Sequence, residues 1–195
     1  MQKILGIYVP GLGDSRSRGQ DKAIASWSKL GIDLAYMPLK WGDGEDFAPK
    51  LNRLTSEIDR LHAQSGDRIV LVGSSAGASA VLNAFAKRKS AIRAVVCICG
   101  KINNPSTIGE HIYKHNPAFK QSMQALPASL KQLTNDDRKL ILSVHSLYDG
   151  KVPVADTVID GTNEMTIHTV GHVLSIAYAF SFGKKRIEKF IRSIQ

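Results

Sequence analysis

Ser75, Asp149 and His172 are the three side-chain types that nucleophilic catalysis by a hydroxyl requires. A serine hydroxyl attacks poorly until a base takes its proton, and the base needs a carboxylate to fix its tautomer and stabilise its charged form. Ser75 stands at the centre of Gly73-Ser74-Ser75-Ala76-Gly77, a G-x-S-x-G motif between the apolar run Ile69-Val-Leu-Val72 and an alanine-rich stretch. That context predicts a strand turning sharply into a helix. Such a bend strains the residue at its tip, leaves room only for glycine on either side, and aims the helix's first N–H groups at whatever Ser75 attacks. Asp149 follows a predicted fifth strand in Ser146-Leu-Tyr-Asp149-Gly-Lys-Val-Pro153, and His172 follows a predicted sixth in Gly171-His172. Strand ends at one edge of a parallel sheet lie together in space, so the three would meet although they are far apart in sequence.

Each signal also has a plainer reading. A small-residue loop can be only a tight turn, Asp149-Gly150 is a common turn dipeptide, and His172 can serve merely as a cap for the last helix. Asp156 and Glu164 are rival acids and His145 a rival base, but none follows a strand as directly. The joint arrangement is what chance does not readily supply, and its order, Ser then Asp then His, suits a strand-turn-helix nucleophile.

The elements that must position these residues alternate along the chain. Residues 3–9 read as a buried strand broken by Pro10-Gly11-Leu12-Gly13-Asp14, residues 20–30 as a helix ended by Gly31, and residues 33–39 as a second strand. Phe47, Leu51, Leu54, Ile58 and Leu61 repeat at three and four, the mark of an amphipathic helix closed near Gly66. Residues 68–73 form the third strand, 76–88 its helix, and Ile92 to Cys99 a fourth strand that is apolar on both faces. Strands are expected again at 140–145 and 165–170, and a closing helix from Leu174 to Ile194, with a kink near Gly183. This alternation predicts an α/β fold: a three-layer α/β/α sandwich of about six parallel strands in a single domain, residues 1–195.

Residues 101–138 interrupt the rhythm with prolines at Asn104-Pro105, Asn116-Pro117 and Leu126-Pro127. They read as a small helical insertion, with Thr107 and Glu110 as a capping box and Asn116-Pro117 as an N-cap followed by an N1 proline. Ile112, Tyr113, Phe119 and Met123 are its candidate pocket linings, or the residues that pack it onto the body.

Composition narrows the function classes. Of 195 residues, 43% are hydrophobic and 22% charged, which sets aside disordered and fibrous chains. The longest nearly apolar run, Val173 to Phe182, is too short to span a bilayer. No small-residue cleavage site follows the first apolar run, and a cytoplasmic location is expected. The net charge of +9 comes without a nucleic-acid-binding motif, so no nucleic-acid partner is expected. The basic cluster Lys184-Lys185-Arg186 with Lys189 and Arg192 reads as a solvated helix face, or more weakly as attraction for an anionic substrate or carrier. Cys97 and Cys99, two apart on a predicted strand, should share one face as buried free thiols; they lack the spacing of a metal or redox pair.

Two backbone N–H groups are candidates to hold a developing oxyanion: that of Ala76, next after the nucleophile, and that of Leu12 in the turn after the first strand. A dinucleotide-binding reading of Gly11-Leu12-Gly13 fails because Arg16 stands where its third glycine belongs and no acid ends the second strand.

Taken together, Pro10-Gly11-Leu12-Gly13, Gly73-Ser74-Ser75-Ala76-Gly77, Asp149 with Val152-Pro153, and Gly171-His172 resemble the small α/β-hydrolases, serine esterases and lipases. The resemblance spans nearly the whole chain. It implies a reduced form of that fold with strand order 2-1-3-4-5-6, and a short helical lid at residues 101–138. It also implies an ester or thioester as small-molecule substrate, cleaved through an acyl-serine with no metal or other cofactor. Many relatives have histidine where this chain has Pro10, which bears on the oxyanion donor at Leu12. The fold also hosts non-catalytic binding proteins, and a thioesterase or peptidase acting on an acidic or carrier-bound substrate is a further alternative.

Overall fold

The computed structural model describes residues 3–13 and 18–194. Asp14 and Arg16, which entered the reading of the first turn, lie outside them. Six strands form one parallel sheet: β1 (Ile4–Val9), β2 (Ile32–Tyr36), β3 (Ile69–Ser74), β4 (Ile92–Ile98), β5 (Ile141–Tyr148) and β6 (Asn163–Val170). Their spatial order is β2-β1-β3-β4-β5-β6, the order the resemblance implies. The direction of winding reverses between β1 and β3. Val9 is in register with Gly73, so the turns that follow these strands flank a single crevice.

Among the described residues, eight α-helices flank the sheet: α1 (Arg18–Ala25), α2 (Phe47–Ser65), α3 (Ala76–Lys87), α4 (Glu110–His115), α5 (Pro117–Lys131), α6 (Asn135–Lys139), α7 (His172–Ser181) and α8 (Lys184–Ser193). The period-2 alternation of the strands divides the core in two. Leu71 and Val95 join Leu54, Ile58, Phe85 and Met123 on the side of α2, α3 and α5. Val72 and Val96 join Trp27, Phe180, Ile187 and Ile191 on the side of α1, α7 and α8. β3 is buried on both faces along its whole length, as a central parallel strand must be.

Several elements depart from expectation for identifiable reasons. The first helix changes to a tighter 3-10 turn over Ser26–Leu30, where Trp27 is fully buried and its indole N–H donates to Phe180 O, before Gly31 ends it at φ 73°. β2 stops at Tyr36, two residues short of Pro38, which has no N–H for a ladder. β5 runs three residues past His145 and β6 starts at Asn163. The closing helix is broken rather than kinked, with Phe182 and Gly183 between α7 and α8. Leu126-Pro127 is no break: Pro127 lies within α5 on its exposed side, while Phe119, Met123 and Leu126 are buried. Packing outweighs the missing bond there.

The capping box expected at Thr107 and Glu110 does not form. Gly109 precedes α4, Thr107 ends a 3-10 turn (Pro105–Thr107), and the capping box that does form is Thr134 with Asp137 at α6. Cys97 and Cys99 do not share a face. Cys97 belongs to the α3 side and Cys99 to the α7 side, because Cys99 lies past the end of β4 at φ 46°, where the pleat has stopped. Both are free and buried, and burial pushes their thiols up to about 12.

The 101–138 segment is anchored through α5. Ser122 Oγ lies 2.8 Å from Ser79 Oγ of α3, and Asn83 Nδ2 donates to Ser122 O at 3.0 Å, so the interface carries a satisfied buried polar seam. No helix among the described residues is long and apolar enough to cross a membrane.

Candidate active site

The turn between β3 and α3 sets Ser75 at φ 50°, ψ −121°, a conformation a side-chain-bearing residue adopts only under constraint. The constraint is visible on both sides. Ser75 N–H donates to Ile98 O at 3.0 Å, and Ser75 O accepts from Lys101 N–H at 3.1 Å, so the end of β4 clamps the bend. The flanking glycines are required by contact. A Cβ at Gly77 would sit 2.2 Å from Val9 O, and one at Gly73 would sit 2.6 Å from Gly77 O. The first turn of α3 can therefore press against the end of β1, with its N–H groups beside Ser75.

Gly11 approaches from the other side of the crevice; a Cβ there would lie 2.7 Å from Ser75 Cβ and 3.2 Å from Ser75 Oγ. Trp41, itself buried, donates its indole N–H to Pro10 O at 3.3 Å and braces this turn. Leu12 and Ala76, the two expected oxyanion donors, both line the cavity that opens at Ser75.

The loops after β5 and β6 are tied together just before the two remaining residues: Gly171 N–H donates to Tyr148 O at 2.9 Å. His172 then opens α7 and Asp149 leaves β5. His172 Nδ1 lies 2.7 Å from Asp149 Oδ2 and His172 Nε2 lies 2.9 Å from Ser75 Oγ. Asp149 Oδ1 accepts from the N–H groups of Lys151 at 2.9 Å and Val152 at 3.0 Å, so both carboxylate oxygens are bonded. A proton on Nδ1 would be donated to the carboxylate, leaving the Nε2 lone pair to face the serine hydroxyl. The three residues singled out by sequence meet in one hydrogen-bonded chain.

The rivals are placed elsewhere. His145 Nε2 is 3.6 Å from Glu164 Oε2, the two residues lying on β5 and β6. Asp156 is buried against Lys101, with Asn104 Nδ2 also donating to it and Thr107 beside it. Burial works against its charge, yet Lys101, then Asn104 and Thr107, hold its carboxyl below the ordinary value of 3.8.

The cavity measures about 840 Å³, within the usual range for small-molecule sites. Ile108, Ile112 and Phe119 form one wall, and Ile176, Ala177 and Phe180 another. Of the four linings expected from the 101–138 segment, Ile112 and Phe119 are on the wall. Tyr113 instead packs on Phe119, and Met123 is in the core.

Sequence reasoning missed the polar groups beneath the nucleophile. Tyr8 Oη lies 2.9 Å from Ser74 Oγ and accepts from Gln20 Nε2 at 3.3 Å, and all three residues line the cavity. The available signal was position alone: Tyr8 is two residues before the Pro10-Gly11 turn, and Ser74 directly precedes Ser75. Lys101 was missed as well, since nothing in a lone lysine after a strand announces a buried ion pair.

No family model and no curated protein matches this sequence. Solved structures do match. Est1E from Butyrivibrio proteoclasticus is 14% identical over 98% of this chain and 88% of its own, with a TM-score of 0.69. The monoacylglycerol lipase of Paleococcus ferrophilus is 14% identical over 100% of this chain and 97% of its own, at 0.66. MGS-MChE2, an alpha/beta hydrolase enzyme from a sediment metagenome of the Mar Chica lagoon in Morocco, is 11% identical over 98% and 92%, at 0.68. With its strand order, its strained serine turn and these neighbours, the chain has the α/β-hydrolase fold.

Proposed function

We propose that this protein is a serine hydrolase that cleaves carboxylic esters or thioesters through an acyl-serine intermediate. His172 Nε2 takes the proton of Ser75 as Oγ attacks the substrate carbonyl, and Asp149 holds the imidazole and stabilises its charged form. The N–H groups of Ala76 and Leu12 receive the oxyanion. Collapse of the tetrahedral intermediate expels the alcohol or thiol, which takes its proton from His172. Water, activated by the same imidazole, then attacks the acyl-serine and releases the acid, restoring the hydroxyl of Ser75.

The observation that carries this reading is the imidazole of His172, in hydrogen-bond contact with Ser75 Oγ on one side and Asp149 on the other. The esterase and lipase names of the structural neighbours agree with it. The apolar cavity suits a small or medium acyl group, and residues 101–138 would act as its lid, since they supply one of its walls. Two free, buried cysteines fit the reducing interior of a cell.

Hydrolysis of p-nitrophenyl esters of graded acyl length tests the proposal. Wild-type protein should turn over the short esters, and Ser75→Ala should lower kcat by about 10⁴-fold or more. Equal turnover by the two proteins would mean that another nucleophile acts.

A further inference from the structure

α7 (His172–Ser181) stands apart from the other helices. From Val173 to Gly183 it carries no charged side chain, the composition of a helix buried all round. One face is nonetheless open. Val173, Leu174 and Phe182 are 73%, 63% and 77% exposed, and Ala177 and Ser181 between them are exposed as well. The opposite face, with Ser175, Ala179 and Phe180, is buried against the sheet.

At its N-terminal end the open face meets Leu147, Tyr148 and Val170, which are 58%, 65% and 60% exposed; Tyr148 is in register with Val170. Single exposed apolar side chains are ordinary, but here the large ones gather on one helix and the strand ends beside it.

The charge around this face is predominantly positive. No Asp or Glu occurs from Thr166 to Ile187, and Asp149, the only acid from Leu147 to Pro153, is buried. Lys151 is exposed at one end, and Lys185, Arg186 and Lys189 are exposed at the other, where the acid of α8, Glu188, is half-buried and paired with Arg192. Asp160 precedes β6 and Glu164 lies near its start, at the opposite end of that strand from Val170. A second copy of the chain would bring like charges toward one another, whereas an anionic lipid surface accepts both the apolar stripe and the cations flanking it. Val173, Ala177 and Ser181 of the open face also line the cavity, so this surface is continuous with the mouth at Ser75.

We infer that the outer face of α7, with the adjoining ends of β5 and β6, seats the protein on an anionic lipid–water interface. At ten residues the helix lies in the interface and does not span it. Adsorption does not depend on Ser75 acting as a nucleophile, so the two readings fail separately.

Sedimentation of the full chain with phosphatidylcholine vesicles, with and without phosphatidylglycerol, tests the inference. Binding should require phosphatidylglycerol and weaken with salt. The double variant Leu174→Asp with Phe182→Asp should lose it, and Lys185→Glu with Arg186→Glu should weaken it by on the order of tenfold, each variant unfolding at the wild-type temperature. Failure to bind either vesicle, or equal binding by wild type and variants, would overturn it. So would a concentration-dependent dimer that Leu174→Asp abolishes, since a second copy would then cover the face. Vesicle binding that persists alongside absence of ester hydrolysis would remove the hydrolase reading alone.

Discussion

Asp149 and Asp156 stand seven residues apart in the connection between β5 and β6. Both are buried, and both have bonded carboxylates. Asp149 faces an imidazole, a partner that can gain and lose a proton at neutral pH, and its second oxygen is held by two backbone N–H groups. Asp156 faces the ammonium of Lys101 and two neutral donors of the 101–107 stretch, Asn104 and Thr107. The same residue type thus meets an imidazole in one case and an ammonium in the other. Lys101–Asp156 ties the start of the 101–138 segment to the 3-10 turn Val154–Asp156, and Lys101 N–H in turn bonds Ser75 O. One aspartate is bonded to the imidazole that meets Ser75; the other fastens the segment whose first residue bonds the Ser75 carbonyl.

Asp149→Asn should break this comparison most sharply. The amide keeps the shape but favours the wrong tautomer of His172, and kcat for a short ester should fall by roughly 10⁴-fold with little change in thermal stability. Asp156→Asn should behave in the opposite way. It leaves the buried ammonium of Lys101 unpaired, and chemical denaturation should show a loss of about 3–5 kcal/mol, with kcat changed far less than by Asp149→Asn. Replacing both partners, Lys101→Met with Asp156→Leu, should recover much of that loss, since a buried ion pair contributes little beyond an apolar pair of similar volume.

Acid should distinguish the two proteins further. The carboxyl of Asp156 is held below its ordinary value, so its contribution is complete above about 4 and is lost as the pH falls through the depressed folded-state value. Stability measured from pH 5 downward should therefore fall more steeply in wild type than in the Lys101→Met, Asp156→Leu protein. The smallest effect concerns Cys99. Burial pushes its thiol up to about 12 and the charge of Asp149 adds to that. Removing the charge in Asp149→Asn leaves the dominant cause in place, so a thiol reagent at pH 8 should label neither the native wild type nor the variant.

The meeting of Ser75, Asp149 and His172 was legible in the sequence because each follows a strand, and strand ends of a parallel sheet converge. The G-x-S-x-G turn was readable down to its glycines, whose missing side chains are where Val9 O and Gly77 O now sit. What could not be read depends on contacts between distant segments. Asp156 looked like a rival to Asp149 because nothing local reveals that Lys101 is buried against it. Pro127 signalled a break by local rules, while the buried residues on either side of α3 and α5 hold the helix through it. Cys99 was assigned to the face of Cys97 on the assumption that the strand continued, and one residue of left-handed backbone turned it to the other side.

Labelling of the native protein with a fluorophosphonate, followed by mass spectrometry of its peptides, addresses the central claim most directly. Wild-type protein should carry a single adduct on Ser75, formed at least about 10³-fold more slowly in His172→Gln. A folded wild-type protein that takes up no probe, or one that carries it on Ser74 or another serine, would contradict it.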